Sequence, residues 1–249
     1  MKPGTVGRAD GVTPGPSVEA CEPPGDVVTV PAVAVMAKVP GAAPVKSRLH
    51  AALTEARATE LYRCFLLDRL DALATVSGIA RVVAFTPPEA QTQMAALAPA
   101  GFRLVAQEGD DLAERLTRLF DRLMAEGHPA ALAMDSDSPT LPMAYVADAA
   151  RMLAAGQADV VLGPSADGGY YLIGVRAPRP ELFEDVPWST GDVLEVTLAR
   201  ARGLGLRVRL LPAWFDVDTE ADFQRLRQEL TASGAGPART VAFVRELGR

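Results

Sequence analysis

At 249 residues with 49% apolar content, the chain is long enough to bury a sizeable core, as one large domain rather than two. Its formal charge of -6 gives no broad basic surface, which argues against nucleic acid as a partner, and no run of about 18 apolar residues offers a membrane span. Cys21 and Cys64 are too few for a disulfide framework or a zinc site and fit a reducing cytoplasm. His50 and His128 stand in polar, loop-like surroundings and read as surface residues rather than members of a Ser-His-Asp triad.

Residues 1–26, with Pro3, Pro14, Pro16, Pro23 and Pro24 among glycines and small polar residues, read as a disordered lead. It has no apolar centre of the kind a secretory signal carries, so neither export nor membrane insertion is expected. From residue 27 to 249 the pattern predicts one domain of alternating strands and helices. Strands are expected over 27–36, 79–85, 102–106, 130–134, 159–162, 171–175 and 206–211. Helices are expected over 54–74, 89–97, 110–125, 143–155, 193–201 and 220–230. This alternation predicts a Rossmann-like α/β fold, with a mostly parallel central sheet, helices on both faces and ligands at the carboxyl ends of the strands.

The polar motifs fall at those ends. After the first strand comes Ala37-Lys38-Val39-Pro40-Gly41, then Val45-Lys46-Ser47-Arg48-Leu49. Gly41 to Ser47 has the outer spacing of a P-loop, but Val45 replaces the second glycine and Pro44 removes an amide donor, which rejects a Walker-type site. Lys38, Lys46 and Arg48 remain as cations suited to donor phosphates, or as a solvated basic loop.

Asp135-Ser136-Asp137-Ser138-Pro139 follows the apolar run 130–134. Two carboxylates two residues apart at a strand end can face one hard cation, Mg²⁺ or Mn²⁺, and Asp137 is the preferred ligand. Turn formation and helix capping explain only one of the pair.

Gly163 to Tyr171 presents Asp167 on the turn Asp167-Gly168-Gly169, as a general base, as a contact to sugar or acceptor hydroxyls, or merely as part of a hairpin. In Pro187-Trp188-Ser189-Thr190-Gly191-Asp192, Ser189 and Asp192 match a helix cap, while the helix start is also an anion site and Trp188 a stacking surface. Thr219 and Asp222 read as a further cap, leaving Asp216 and Asp218 for other work, with Asp218 a second acid at the cation.

Together with Gln107-Glu108-Gly109-Asp110-Asp111-Leu112-Ala113-Glu114-Arg115, these motifs resemble a bacterial family of glycosyltransferase A-type proteins, formerly a domain of unknown function and often named radical-SAM/selenodomain-associated transferase. The resemblance spans about residues 28–230. It implies a nucleotide-diphospho-sugar transferase fold with an Asp-x-Asp type metal site, where Asp137 is the preferred ligand and Asp218 a second acid at the cation. It further implies contacts to nucleotide or substrate from Ala37, Lys38, Pro40, Gly41, Lys46, Arg48 and Gln107 on one side, and from Asp135, Ser136, Gly168, Gly169, Trp188, Ser189 and Thr190 on the other. Ser47, Asp111 and Met134 depart from the usual family pattern without removing a ligand.

The leading expectation is metal-dependent glycosyl transfer from a nucleotide-diphospho-sugar to a small-molecule acceptor, with Asp167, Lys46 and Arg48 as catalytic groups. The alternative is nucleotidyl transfer from an NTP to a phosphorylated acceptor, as in the similar guanylyltransferases that activate phospholactate or molybdopterin. A non-catalytic nucleotide-binding protein is the third reading. Oligomeric state is not legible in the residues.

Overall fold

The computed structural model describes Met1 and residues 30–248. The disordered lead expected over 1–26, Met1 aside, and the first residues of the strand expected from 27 lie outside the described residues. The strands are β1 (Ala32–Lys38), β2 (Ala80–Thr86), β3 (Phe102–Ala106), β4 (Ala131–Met134), β5 (Val160–Pro164), β6 (Tyr170–Val175) and β7 (Val208–Leu210). They form one sheet in the order β3-β2-β1-β4-β6-β5-β7. All are parallel except β6, which runs antiparallel between β4 and β5. The α/β fold with a mostly parallel sheet is therefore as expected.

Side chains of β1 alternate between two cores, as the two-residue period of a strand requires. Val33, Val35 and Ala37 pack on one face with Leu66 and Leu70 of α1 (Glu55–Ala74), Met94 of α2 (Gln91–Leu97) and Val146 of α4 (Met143–Ala154). Ala32 and Ala34 face the other way, toward α3 (Leu112–Ala125) and α5 (Val193–Gly203). In α3 the buried residues are Leu116, Leu119, Phe120 and Leu123, a single helical stripe. Asp111 caps this helix by accepting the Glu114 amide at 2.9 Å, which accounts for an aspartate where the family pattern has glycine.

A third core sits to the side of the sheet. Leu49, Leu61 and Phe65 meet Phe215, Val217, Phe223 and Leu226 here, together with Phe243 of the last helix. The helices involved are α1, α6 (Glu220–Ser233) and α7 (Ala238–Leu247).

Several expected boundaries change. β1 continues to Lys38, α2 starts at Gln91 after a short 3-10 turn, β7 keeps only three residues, and α6 reaches Ser233. Helix α7 was not expected. Pro237 at its start offers no side-chain cap, and Asp68 of α1 instead accepts the amide and hydroxyl of Thr240, each at 2.8 Å. That cap is supplied from far along the chain, so no local pattern marks it. His128 is also buried rather than at the surface, because its Nδ1 hydrogen-bonds the Val30 carbonyl oxygen at 2.8 Å.

Candidate active site

A cleft of about 500 Å³ opens at the carboxyl ends of β1, β2, β3 and β4. Its walls include Lys38 and Thr86 at strand ends, Gln107 just past β3, and Ser136 and Asp137 just past β4. Lys46, Ser47 and Arg48 from the loop after β1, Tyr62 from α1, Arg115 from α3, and Ser189 and Asp218 complete the polar lining. Parallel strands bring these loops to one rim because each ends at the same edge of the sheet.

The loop after β1 is held by its apolar residues. Val39, Val45 and Leu49 are buried, and a turn at Gly41, with φ of 84°, lets the Ala42 amide reach the Val39 carbonyl at 3.0 Å. Lys46 stands between two of those anchors with φ of 51°, a left-handed conformation that costs a lysine roughly 1–2 kcal/mol. Its ammonium lies 2.6 Å from Asp137 and 2.7 Å from Asp218, with its side chain only 3% exposed. Burial works against the charge, but the two carboxylates outweigh burial and raise the ammonium's proton affinity above the ordinary lysine value. Arg48 lies at the edge of this group, 4.0 Å from Asp218 and largely exposed.

Asp218 is placed by α6. Thr219 and Asp222 form the expected capping box, and the same Asp222 carboxylate accepts the Asp218 amide at 3.3 Å. Asp137 is tied to this segment through the Val217 amide, which donates to its carbonyl oxygen at 3.0 Å. The expected metal pair is thus brought together. Asp137 and Asp218 approach one cationic point with oxygen donors only, a set suited to Mg²⁺ or Mn²⁺. Among the described residues no third His, Cys, Asp or Glu joins them, so further ligands for such an ion must come from phosphate or water.

Asp135 is corrected. Rather than facing the cleft beside Asp137, it is partly buried behind it, where Oδ2 accepts the Ser138 hydroxyl at 2.5 Å. β4 ends at Met134, so strand alternation does not extend to the two acids. Burial pushes the Asp135 carboxyl up to about 7, against the attraction of the fully buried Arg69 guanidinium. Arg69 Nη1 donates to the Leu141 carbonyl oxygen at 3.4 Å, while its Nε and Nη2, like Asp135 Oδ1, bond to no group among the described residues.

The glycine turn is corrected too. Asp167 is absent from the cleft lining, and its Oδ1 accepts the Gly169 amide at 2.9 Å. A Cβ on Gly168 would meet the Gly191 carbonyl oxygen at 2.0 Å, and the Gly168 oxygen accepts the Leu194 amide at 2.9 Å. Gly168 therefore serves contact with the loop before α5 rather than approach by a ligand. On that loop only Ser189 lines the cleft, with φ of 66° and no capping bond; Asp192 holds the cap position instead. Trp188 meets Tyr170 edge-on at 6.4 Å, and the Thr190 hydroxyl donates to the Pro187 carbonyl oxygen at 2.7 Å. Pro40 and Gly41 lie outside the cleft lining, whereas Ala37 is part of it. Asp216 accepts the Ser165 hydroxyl at 2.8 Å, and burial raises its proton affinity.

Two cleft residues escaped the sequence reading. Tyr62 sits at helical spacing in α1 and looks like core, yet its hydroxyl accepts the Lys38 amide at 3.0 Å and bonds Ser136 Oγ at 3.0 Å. It links the loops after β1 and β4. Burial, then the nearby Asp137 charge, holds its phenol protonated well above the ordinary range. Arg115, to which the sequence motif after β3 assigns no role, lines the cleft from α3, where its Nε donates to the Gly109 carbonyl oxygen at 2.9 Å. Gln107 Nε2 donates to the Ala84 carbonyl oxygen at 2.7 Å, which fixes its side chain across the ends of the strands.

Residues 69–190 match a family described as "Uncharacterized protein conserved in bacteria (DUF2064)". The phosphoenolpyruvate guanylyltransferase of Rubrobacter xylanophilus is 31% identical over 185 residues, covering 73% of this chain and 86% of that protein. A crystal structure from Desulfovibrio desulfuricans G20, of a protein whose name places it among nucleotide-diphospho-sugar transferases, superposes with a TM-score of 0.80. It is 31% identical and covers 87% of this chain and 94% of its own. The 4-diphosphocytidyl-2C-methyl-D-erythritol synthase of Anaerococcus prevotii DSM 20548 shares the fold at 10% identity and a TM-score of 0.55, covering 82% of this chain and 98% of its own.

Proposed function

Since the chain belongs to the nucleotide-diphospho-sugar transferase superfamily, we propose that it is a nucleotide-utilising transferase whose reaction is nucleotidyl transfer: an NTP gives its nucleotidyl group to a phosphorylated small-molecule acceptor and pyrophosphate leaves. The observation that carries this reading is the charge of the cleft. Lys38, Lys46, Arg48 and Arg115 line it, while its two carboxylates, Asp137 and Asp218, are engaged with Lys46. An acceptor hydroxyl needs a base to take its proton, whereas an acceptor phosphate is already anionic and needs only cations to hold it.

In this reading an acceptor phosphate oxygen bonds to the α-phosphorus as the bond to the bridging oxygen of the β-phosphate breaks. The electron pair departs on pyrophosphate. Lys46 and Arg48 hold the β- and γ-phosphates, and Arg115 and Lys38 orient the acceptor phosphate against its partner. Asp137 and Asp218 would hold Mg²⁺ or Mn²⁺, which supplies further charge neutralisation at the phosphates.

Glycosyl transfer is the second reading, favoured by the likeness to the Desulfovibrio protein. The two separate in one assay. The protein is incubated with Mg²⁺ or Mn²⁺, each NTP or nucleotide sugar, and phosphoenolpyruvate, the acceptor named for the Rubrobacter relative, or other phosphorylated three-carbon acids. Pyrophosphate release that requires the acceptor is expected. Nucleoside diphosphate release from a nucleotide sugar, with no pyrophosphate from any NTP, would overturn nucleotidyl transfer in favour of the second reading.

A further inference from the structure

The Lys46 ammonium occupies the point that Asp137 and Asp218 share, at 2.6 and 2.7 Å from their Oδ1 atoms. A divalent ion bound by those same oxygens at about 2.1 Å would need that point for itself. Ammonium and metal are therefore alternatives. With its side chain 3% exposed, Lys46 cannot simply turn out into water, and leaving the carboxylates requires a new anion inside the cleft. Phosphate oxygens are that anion, which is where the inference rests on the nucleotide reading above.

The residue type points the same way. Among 25 basic residues the chain has only three lysines, Lys2, Lys38 and Lys46. Arginine would lock a carboxylate in a two-pronged grip, while a compact ammonium with rotatable donors exchanges one anion for another.

We propose that Lys46 is an exchangeable counter-ion: its ammonium holds Asp137 and Asp218 together until phosphates take it, so a divalent cation and a nucleoside polyphosphate load as one cooperative event. Each ligand strengthens the other's binding by the same factor, as linkage requires. Metal alone binds weakly because it must displace Lys46 without offering it a partner.

Two measurements decide this without turnover. Binding of Mn²⁺ alone, followed by the electron paramagnetic resonance of the free ion, is expected to be at least tenfold tighter in Lys46→Met than in the wild type; equal or weaker binding overturns the proposal. On the wild-type protein, reductive methylation read by mass spectrometry compares Lys46 with the amino group of the exposed Met1 as internal reference. Saturating Mn²⁺ is expected to raise Lys46 modification at least fivefold, and Mn²⁺ with tripolyphosphate to return it to the starting level. Labelling indifferent to Mn²⁺ overturns the exchange, and failure of tripolyphosphate to restore protection overturns the role given to phosphate. The labelling decides the matter even where Lys46→Met fails to fold. If no nucleotide binds, the functional reading falls, while these Mn²⁺ and tripolyphosphate results still decide the exchange.

Discussion

Asp135 and Asp137 are two residues apart and face different surroundings. Asp137 sits in the cleft with its side chain 35% exposed and a cation against it; Asp135 is turned behind the cleft, partly buried, with Oδ2 on the Ser138 hydroxyl and Oδ1 enclosed. The difference arises from a chain that leaves the sheet at Met134 and turns, so neighbouring acids are sorted to opposite sides of one short loop. One acid faces the cleft and the other is tied into the loop by the Ser138 hydroxyl.

Breaking each side separately tests that division. Asp137→Ala has the largest expected effect, a loss of about 100-fold or more in metal-dependent nucleotide binding by calorimetry, since truncating one member of a close charge pair costs about 2–5 kcal/mol. Its fold is expected to survive. Asp135→Ala reverses the pattern: the buried Ser138 hydroxyl loses its acceptor, and urea unfolding is expected to show a loss of about 1–3 kcal/mol. If Asp135→Ala leaves stability intact but removes nucleotide binding, the division between the two acids is wrong.

Tyr62→Phe sharpens the comparison by cutting the link between the loops after β1 and β4. The Lys38 amide and Ser136 hydroxyl lose their partner, which is expected to cost about 1–2 kcal/mol of stability. Nucleotide affinity is expected to fall with it, whereas a tyrosine that merely filled the core would leave affinity unchanged. The smallest effect belongs to Asp159, whose carboxyl is held down at about 2 by hydrogen bonds from Arg207. Its contribution is present above the unfolded carboxyl value near 3.8 and is lost as pH falls through about 2. Asp159→Asn is expected to cost under about 1 kcal/mol at neutral pH, as for other exposed pairs, and the difference from wild type should vanish in acid unfolding curves between pH 4 and 2.

The sheet was legible because its residues obey short periods. Leu116, Leu119, Phe120 and Leu123 announce a helix, and the apolar runs at β1 and β4 announce buried strands. Lys46, Asp137 and Asp218 were legible as charges that neither capping nor a core explains. Tyr62 was not, because a tyrosine at helical spacing looks the same whether its hydroxyl ends in a core or at a cleft. The turn of Asp135 away from the cleft was hidden as well, since it comes with a bend of the chain that the strand period does not mark, and α7 was missed because Asp68 caps it from a distance.

Asp218 hangs from the start of α6, and that helix packs in the lateral core with α1 and α7 rather than on the sheet. The site therefore draws its two acids from two packing units, and if the C-terminal helices open first, Asp218 leaves while the sheet and Asp137 stay in place; loss of nucleotide binding on heating is then expected to precede the main melting transition and to reverse on cooling.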